Sequence, residues 1–292
     1  MIEGSIVALV TPMLADGSID WNRLDDLVDW HIEAGTSAIG AVGTTGESPT
    51  LTVEEHLGVI KAVAKRAAGR VPVVAGTGAN STSEAIEWTQ AAEKLGADYT
   101  LQVVPYYNKP TQEGLYQHFK AVAEATALPV ILYNVPARTI TDLLPETLER
   151  LANIDNIVGI KDATGDLERG RETLRLFGSE FAVYSGDDPT STELILSGAV
   201  GTISVTANLI PEKMAELCRL ALAGERDQAL ALDASIQPLN QQLSLESNPI
   251  PVKWALYRMG KIDQGIRLPL TPLSENLRPG VENILTNMQL TS

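Results

Sequence analysis

The stretch from Pro129 to Ala163, PVILYNVPARTITDLLPETLERLANIDNIVGIKDA, decides how the chain is read. It opens on PVILYNV and closes on IVGIKDA, two short apolar runs that are continuous rather than alternating, as strands covered on both faces are. The same kind of run recurs at IVALVTP from Ile6, AIGAVG from Ala38, VPVVAGTG from Val71, YTLQVVP from Tyr99, FAVYSGDD from Phe181 and GTISVT from Gly201. Amphipathic stretches with helix-start residues lie between them. Asp20 precedes WNRLDDLVDWHIEAG, Thr52 precedes VEEHLGVIKAVAKRAAG, and Ser81 precedes TSEAIEWTQAAEKLG. Glu55 and Glu84 each follow three residues after the Thr or Ser, which predicts a capping box at both helices.

Eight strand-helix units match the count of a closed parallel barrel, so residues 1–224 read as an α/β (β/α)8 barrel of the TIM type. An open doubly wound sheet would more usually have fewer strands and a GxGxxG turn after the first, which this sequence lacks. From Pro211 onward only helical patterns remain. The first completes the barrel, and residues 225–292, covering ERDQALALDASIQPLNQQLSLES, PIPVKWALYRMG and SENLRPGVENILTNMQL, read as a C-terminal helical domain packed on it.

Composition narrows the function classes. The 22 basic and 37 acidic residues leave a net charge of −15, which argues against nucleic-acid binding and against adhesion to an anionic membrane. Cys218 is the single cysteine, so neither a disulfide framework nor a cysteine-based metal cluster is available, and a reducing compartment is expected. No signal-like start or membrane-length apolar run is present, and a cytoplasmic protein is expected. His31, His56 and His118 belong to no HxxxH or HExxH pattern, so no catalytic metal is expected.

A barrel of this type builds its site from the C-terminal ends of its strands. Those ends supply a ring of hydroxyls, among them Thr44, Thr45 and Tyr133, and one lysine, Lys161. An amine inside a run fit for full burial is disfavoured as the ammonium, and the neutral amine attacks carbonyls. A bland alternative pairs Lys161 with a carboxylate such as Asp162 or Glu47. Tyr133 is either a proton-transfer phenol or a core tyrosine with a satisfied hydroxyl. The GTTGES loop from Gly43 offers N–H groups and hydroxyls for a carboxylate or an oxyanion, although Gly and Thr also simply make turns. Arg138 in PARTI could clamp a carboxylate bidentately or be an ordinary surface arginine. Tyr106 and Tyr107 are loop aromatics, a type that more often serves packing or an oligomer contact than chemistry.

Taken together, GTTGES at Gly43–Ser48 and YNVPARTITDLLPETLERLANIDNIVGIKDATGD from Tyr133 resemble the two motifs of the dihydrodipicolinate synthase and N-acetylneuraminate lyase family. Further matches are PYYNKPTQEGLYQHF from Pro105, YSGDD from Tyr184, ISVTAN from Ile203 and NPIPVKWAL from Asn248, so the resemblance spans essentially the whole chain. The last favours the branch that joins pyruvate to L-aspartate-4-semialdehyde in the diaminopimelate route to lysine. The resemblance implies that Lys161 forms an imine with pyruvate, with Tyr133, Thr44 and Tyr107 as a proton relay and Tyr107 supplied by a neighbouring subunit. It further implies that Thr45 holds the pyruvate carboxylate, that Arg138 receives the semialdehyde carboxylate, and that Gly186 and Ile203 make backbone contacts near the substrate. It implies no external cofactor, because a protonated imine is itself an electron sink.

Members of the family are commonly homotetramers built as dimers of dimers and inhibited by lysine. Ser48, His56, Asn80, Glu84 and Tyr106 match positions of that effector site. Pro49 and Val53 stand where inhibited members carry alanine and histidine. Losing a polar contact predicts weak or absent lysine inhibition, which half-inhibition by sub-millimolar lysine would contradict. Rival readings are a sibling aldolase acting on another aldehyde and a non-catalytic barrel that senses an α-keto acid. A phosphate-binding barrel lacks support, because SGDD and SVTAN offer no glycine-rich cradle.

Overall fold

In the computed structural model, which describes residues 1–291, the strand Val130–Asn134 sends alternate residues to opposite sides. Val130 and Leu132 pack outward with Leu115 and Phe119 of the helix Gln112–Glu124, while Ile131 and Tyr133 join Ile6, Leu101, Tyr184 and Ile203 inside. This period of two, repeated around the sheet, produces an inner and an outer apolar layer. The strands are β1 (Gly4–Ala8), β2 (Ala38–Ala41), β3 (Val73–Gly76), β4 (Tyr99–Val103), β5 (Val130–Asn134), β6 (Ile157–Asp162), β7 (Ala182–Ser185) and β8 (Gly201–Ser204). Each pairs in parallel with the next, and β1 closes the barrel on β8, the (β/α)8 architecture expected.

Some of the helix starts follow from side chains that satisfy free N–H groups. Asp20 accepts from Arg23 N ahead of the helix Trp21–Glu33, and Thr52 with Glu55 forms the expected capping box ahead of Val53–Ala67. The second expected capping box is absent. Ser81 makes no side-chain cap to the helix Thr82–Lys94, because its hydroxyl is engaged with Ser83 Oγ at 3.1 Å.

After β8 the chain is helical at Pro211–Leu222, Arg226–Leu243, Ile250–Arg258 and Arg278–Asn287. The last begins four residues later than the SENLRPGVENILTNMQL pattern suggests, since Pro279 lacks an N–H and is accommodated in a first turn. Ile236, Leu239, Val252, Leu256, Val281 and Leu285 of the last three helices share one apolar cluster with Val7, Leu24 and Met214. The C-terminal helices therefore pack on the barrel through a common core. Ser292, the end of the expected helical domain, lies outside the described residues. No helix among the described residues is long and apolar enough to cross a membrane.

Candidate functional site

Lys161 sits near the C-terminal end of β6, one position from Ile160, which packs outward, so its side chain enters the barrel mouth. The β5–β6 register pairs it with Tyr133, and Lys161 Nζ lies 4.3 Å from the Tyr133 ring centroid. Both are nearly inaccessible, at 6% and 8% exposure. On the β7 side the stem passes over Gly186. A Cβ there would stand 2.8 Å from Lys161 Cε and 2.7 Å from Ala163 Cβ, so only glycine leaves the amine its present path.

The two carboxylates that could have neutralised this lysine are committed elsewhere. Asp162 accepts from Thr164 N at 2.8 Å and faces the Arg169 guanidinium at 4.0 Å. Glu47 is paired with Lys253 in a fully buried contact. Among the described residues no carboxylate pairs with Lys161, which packs instead on an aromatic face, an arrangement suited to a nucleophilic amine.

A cavity of about 170 Å³ opens above Lys161 and is lined by Thr44, Thr45, Tyr133, Arg138, Gly186 and Ile203 as well. Seven of the eight catalytic and substrate-contact residues expected from sequence therefore meet in one space. Thr44 and Thr45 reach it because the chain turns tightly after β2 into a 3-10 turn, Thr44–Gly46, pinned from below by Thr11 Oγ1 donating to Gly46 O at 2.7 Å. Arg138 lies on the helical turn Pro136–Thr139 at the mouth, exposed, and donates to Asn248 O at 3.2 Å. The eighth residue, Tyr107, is not in the cavity: it is 91% exposed, on a loop where its φ is 74°.

A second cavity of about 230 Å³ shares Thr44, Tyr133 and Arg138 with the first and adds Ser48, Pro49 and Tyr106. His56 Nε2–H donates to Gly76 O at 2.9 Å, which leaves Nδ1 to accept from Ser48 Oγ at 3.3 Å. Burial lowers the His56 pKa, only partly offset by the Gly76 carbonyl, so the ring is neutral at physiological pH. Asn80 Nδ2 donates to Tyr106 O at 3.2 Å, and the Tyr106 phenol pKa is raised by burial and then by the charge of exposed Glu84. Val53, in contrast, faces solvent at 53% exposure.

Sequence reasoning gave no role to Asn248, whose Nδ2 donates to Thr45 Oγ1 at 2.9 Å and which also lines the Lys161 cavity. Nor did it find the Glu47–Lys253 pair. The signal available was NPIPVKWAL, which holds both Asn248 and Lys253. Among the described residues no group of three or more His, Cys, Asp or Glu is placed to hold a metal.

Comparison with known proteins agrees with this geometry. The sequence pattern of the dihydrodipicolinate synthetase family matches residues 1–288. The chain is 62% identical over 279 residues to the 4-hydroxy-tetrahydrodipicolinate synthase of Alcanivorax borkumensis, covering 96% of this chain and 95% of that one. It is similar, at 60% identity and a TM-score of 0.98, to a crystal structure of the chloride-inhibited dihydrodipicolinate synthase of Acinetobacter baumannii complexed with pyruvate, covering 99% and 100% of the two chains. A dihydrodipicolinate synthase variant described as monomeric is also similar, at 41% identity and a TM-score of 0.96 over 99% and 97% of the two chains. A barrel that buries an unpaired strand-end lysine against a tyrosine, in a sequence so closely related to these, has one reading: the chain belongs to the dihydrodipicolinate synthetase family.

Proposed function

We propose that the chain catalyses the reaction of the 4-hydroxy-tetrahydrodipicolinate synthases it resembles, condensing pyruvate with L-aspartate-4-semialdehyde. The observation that carries this reading is Lys161, unpaired and buried against Tyr133 in a cavity that also holds Thr45 and Arg138. The Lys161 amine adds to the pyruvate C2 carbonyl, and the carbinolamine loses water to give an iminium. Loss of a C3 proton yields the enamine, whose carbon attacks the aldehyde, and the resulting alkoxide takes up a proton. The amino group of the semialdehyde then adds to C2 and displaces Lys161, closing the ring. One water is lost overall and no redox partner is needed.

Each residue has a task that follows from its position. Tyr133, beside the amine, passes protons to and from the carbinolamine oxygen, with Thr44 next in the relay. Thr45 holds the pyruvate carboxylate, Arg138 receives the semialdehyde carboxylate at the mouth, and backbone groups of Gly186 and Ile203 line the bound keto acid. Tyr107 completes the relay in the site of a neighbouring copy, in a dimer that pairs into a tetramer. Its exposure and its absence from the lining of its own chain's cavity support that reading. Ser48, His56, Asn80, Glu84 and Tyr106 form a lysine effector site, weakened by Pro49 and Val53. The protein works in the cytoplasm.

The test is pyruvate-dependent consumption of aspartate semialdehyde by wild type, Lys161→Ala and Arg138→Ala. Wild type is expected to turn over, Lys161→Ala to be inactive, and Arg138→Ala to show a raised KM for the semialdehyde. A wild type that ignores the semialdehyde yet cleaves a sugar acid would move the chain to a sibling activity.

A further inference from the structure

The loop that carries Thr44 and Thr45 is held from the far end of the chain. Glu47, three residues after Thr44, adopts the left-handed conformation with φ 58°, which L side chains avoid, and is 1% exposed. Its Oε1 accepts from Lys253 Nζ on the helix Ile250–Arg258, and its Oε2 accepts from Arg267 N at 3.2 Å. Lys253 is 4% exposed. The same segment sends Asn248 Nδ2 to Thr45 Oγ1 at 2.9 Å. Arg267 braces the outer side of the loop, donating to Thr50 O at 3.0 Å and to both carboxylate oxygens of Glu55 at 2.6 and 2.7 Å.

We propose that Glu47 and Lys253 are positioning residues for the reaction, a buried ionic strut by which the C-terminal helices fix the Thr44–Thr45 loop in its substrate-holding shape. This rests on the function proposed above. Two opposite charges this deeply buried are tolerated only together, and removing one strands the other in a low-dielectric interior. A stranded Glu47 carboxylate reaches water by leaving its left-handed turn. That movement carries Thr45 and Thr44, two and three residues before it, away from Lys161. Burial lowers the Lys253 pKa while the Glu47 charge raises it, so the ammonium depends on its partner. The C-terminal helices thereby act on the pyruvate side of the site from outside the cavity's reactive centre.

The test compares Lys253→Met, the nearly isosteric Glu47→Gln, the double variant and Leu256→Ala, a buried apolar-core residue of the same helix that carries no charge. Readouts are the thermal midpoint, the KM for pyruvate, kcat, and the rate at which borohydride traps pyruvate on the protein. Lys253→Met is expected to raise the pyruvate KM about tenfold and slow trapping, as displacement of a positioning group does. Glu47→Gln should do the same more weakly, and the double variant should fall short of the product of the singles because no charge is stranded. Leu256→Ala should lower the thermal midpoint and leave the pyruvate KM alone. Glu47→Gln serves if Lys253→Met does not fold. Folded single variants with wild-type pyruvate KM and trapping rate, or a Leu256→Ala variant with an equally raised KM, would overturn the positioning role. Wild-type protein that traps no pyruvate would overturn the functional reading first, and this one with it.

Discussion

Lys161 and Tyr133 are register partners on adjacent strands, and the lysine Nζ lies 4.3 Å from the centre of the tyrosine ring. The ring is thereby fixed beside the amine by the sheet itself rather than by a mobile loop, and the proton-carrier task proposed for its hydroxyl can be separated from its packing. Tyr133→Phe keeps the ring and removes the hydroxyl. It is expected to lower kcat about a hundredfold or more while leaving the thermal midpoint nearly unchanged. Steady-state kinetics alongside thermal melting check this, and a kcat within a factor of a few of wild type would remove Tyr133 from the relay.

Gly186 makes room for the lysine stem, since a methyl at its Cα would stand 2.8 Å from Lys161 Cε. Gly186→Ala must push the amine off its path, so imine trapping with pyruvate should slow about tenfold or more. Wild-type trapping by that variant would show that the stem has other routes to the cavity.

Tyr107 is 91% exposed, and the proposal that it serves the site of a neighbouring copy makes a prediction about mixtures. Lys161→Ala and Tyr107→Phe proteins are each nearly inactive if both residues are needed. Mixed and allowed to exchange subunits, they should regain about a quarter of wild-type activity, because a mixed dimer holds one site with both residues intact. No gain on mixing, with exchange verified by mass, would place Tyr107 in its own subunit's chemistry or in none.

Stability should fall on mild acidification. Burial pushes His31 down to about 3, helped by the charge of Lys261, and His118 down to about 4, while His56 is lowered by burial as well. These depressed values lie below the ordinary histidine value of 6.5. The unfolded chain therefore takes up protons first as pH drops. The stability present above about 6.5 is progressively lost down to the folded values, at about 1.4 kcal/mol for each pH unit separating a folded value from its unfolded one. Glu55, held at about 2 by Arg267, extends the loss further into acid. Thermal midpoints measured from pH 8 to pH 5 check this, and a midpoint flat across that range would contradict it.

What the sequence shows and hides divides along physical lines. The barrel is readable because each strand buries both faces, so β5 and β6 stand out as apolar runs from residue chemistry alone. Lys161 is readable because an amine breaks such a run. The pairing of Glu47 with Lys253 spans 206 residues and depends on how a C-terminal helix docks over a loop, which no local period encodes. By residue type alone Glu47 could equally partner Lys161, and only the three-dimensional placement assigns it to Lys253. Ser81 shows a different limit: the spacing to Glu84 suits a capping box, yet a nearer hydroxyl, Ser83, takes the side chain.

The central claim is that the Lys161 amine forms an imine with pyruvate. Borohydride reduction of the protein in the presence of pyruvate, followed by intact mass and peptide mapping, tests it directly. Wild type should gain one reduced pyruvate adduct per chain, located on Lys161, and Lys161→Ala should gain none. An unmodified wild type, or an adduct on any other lysine, would contradict the account.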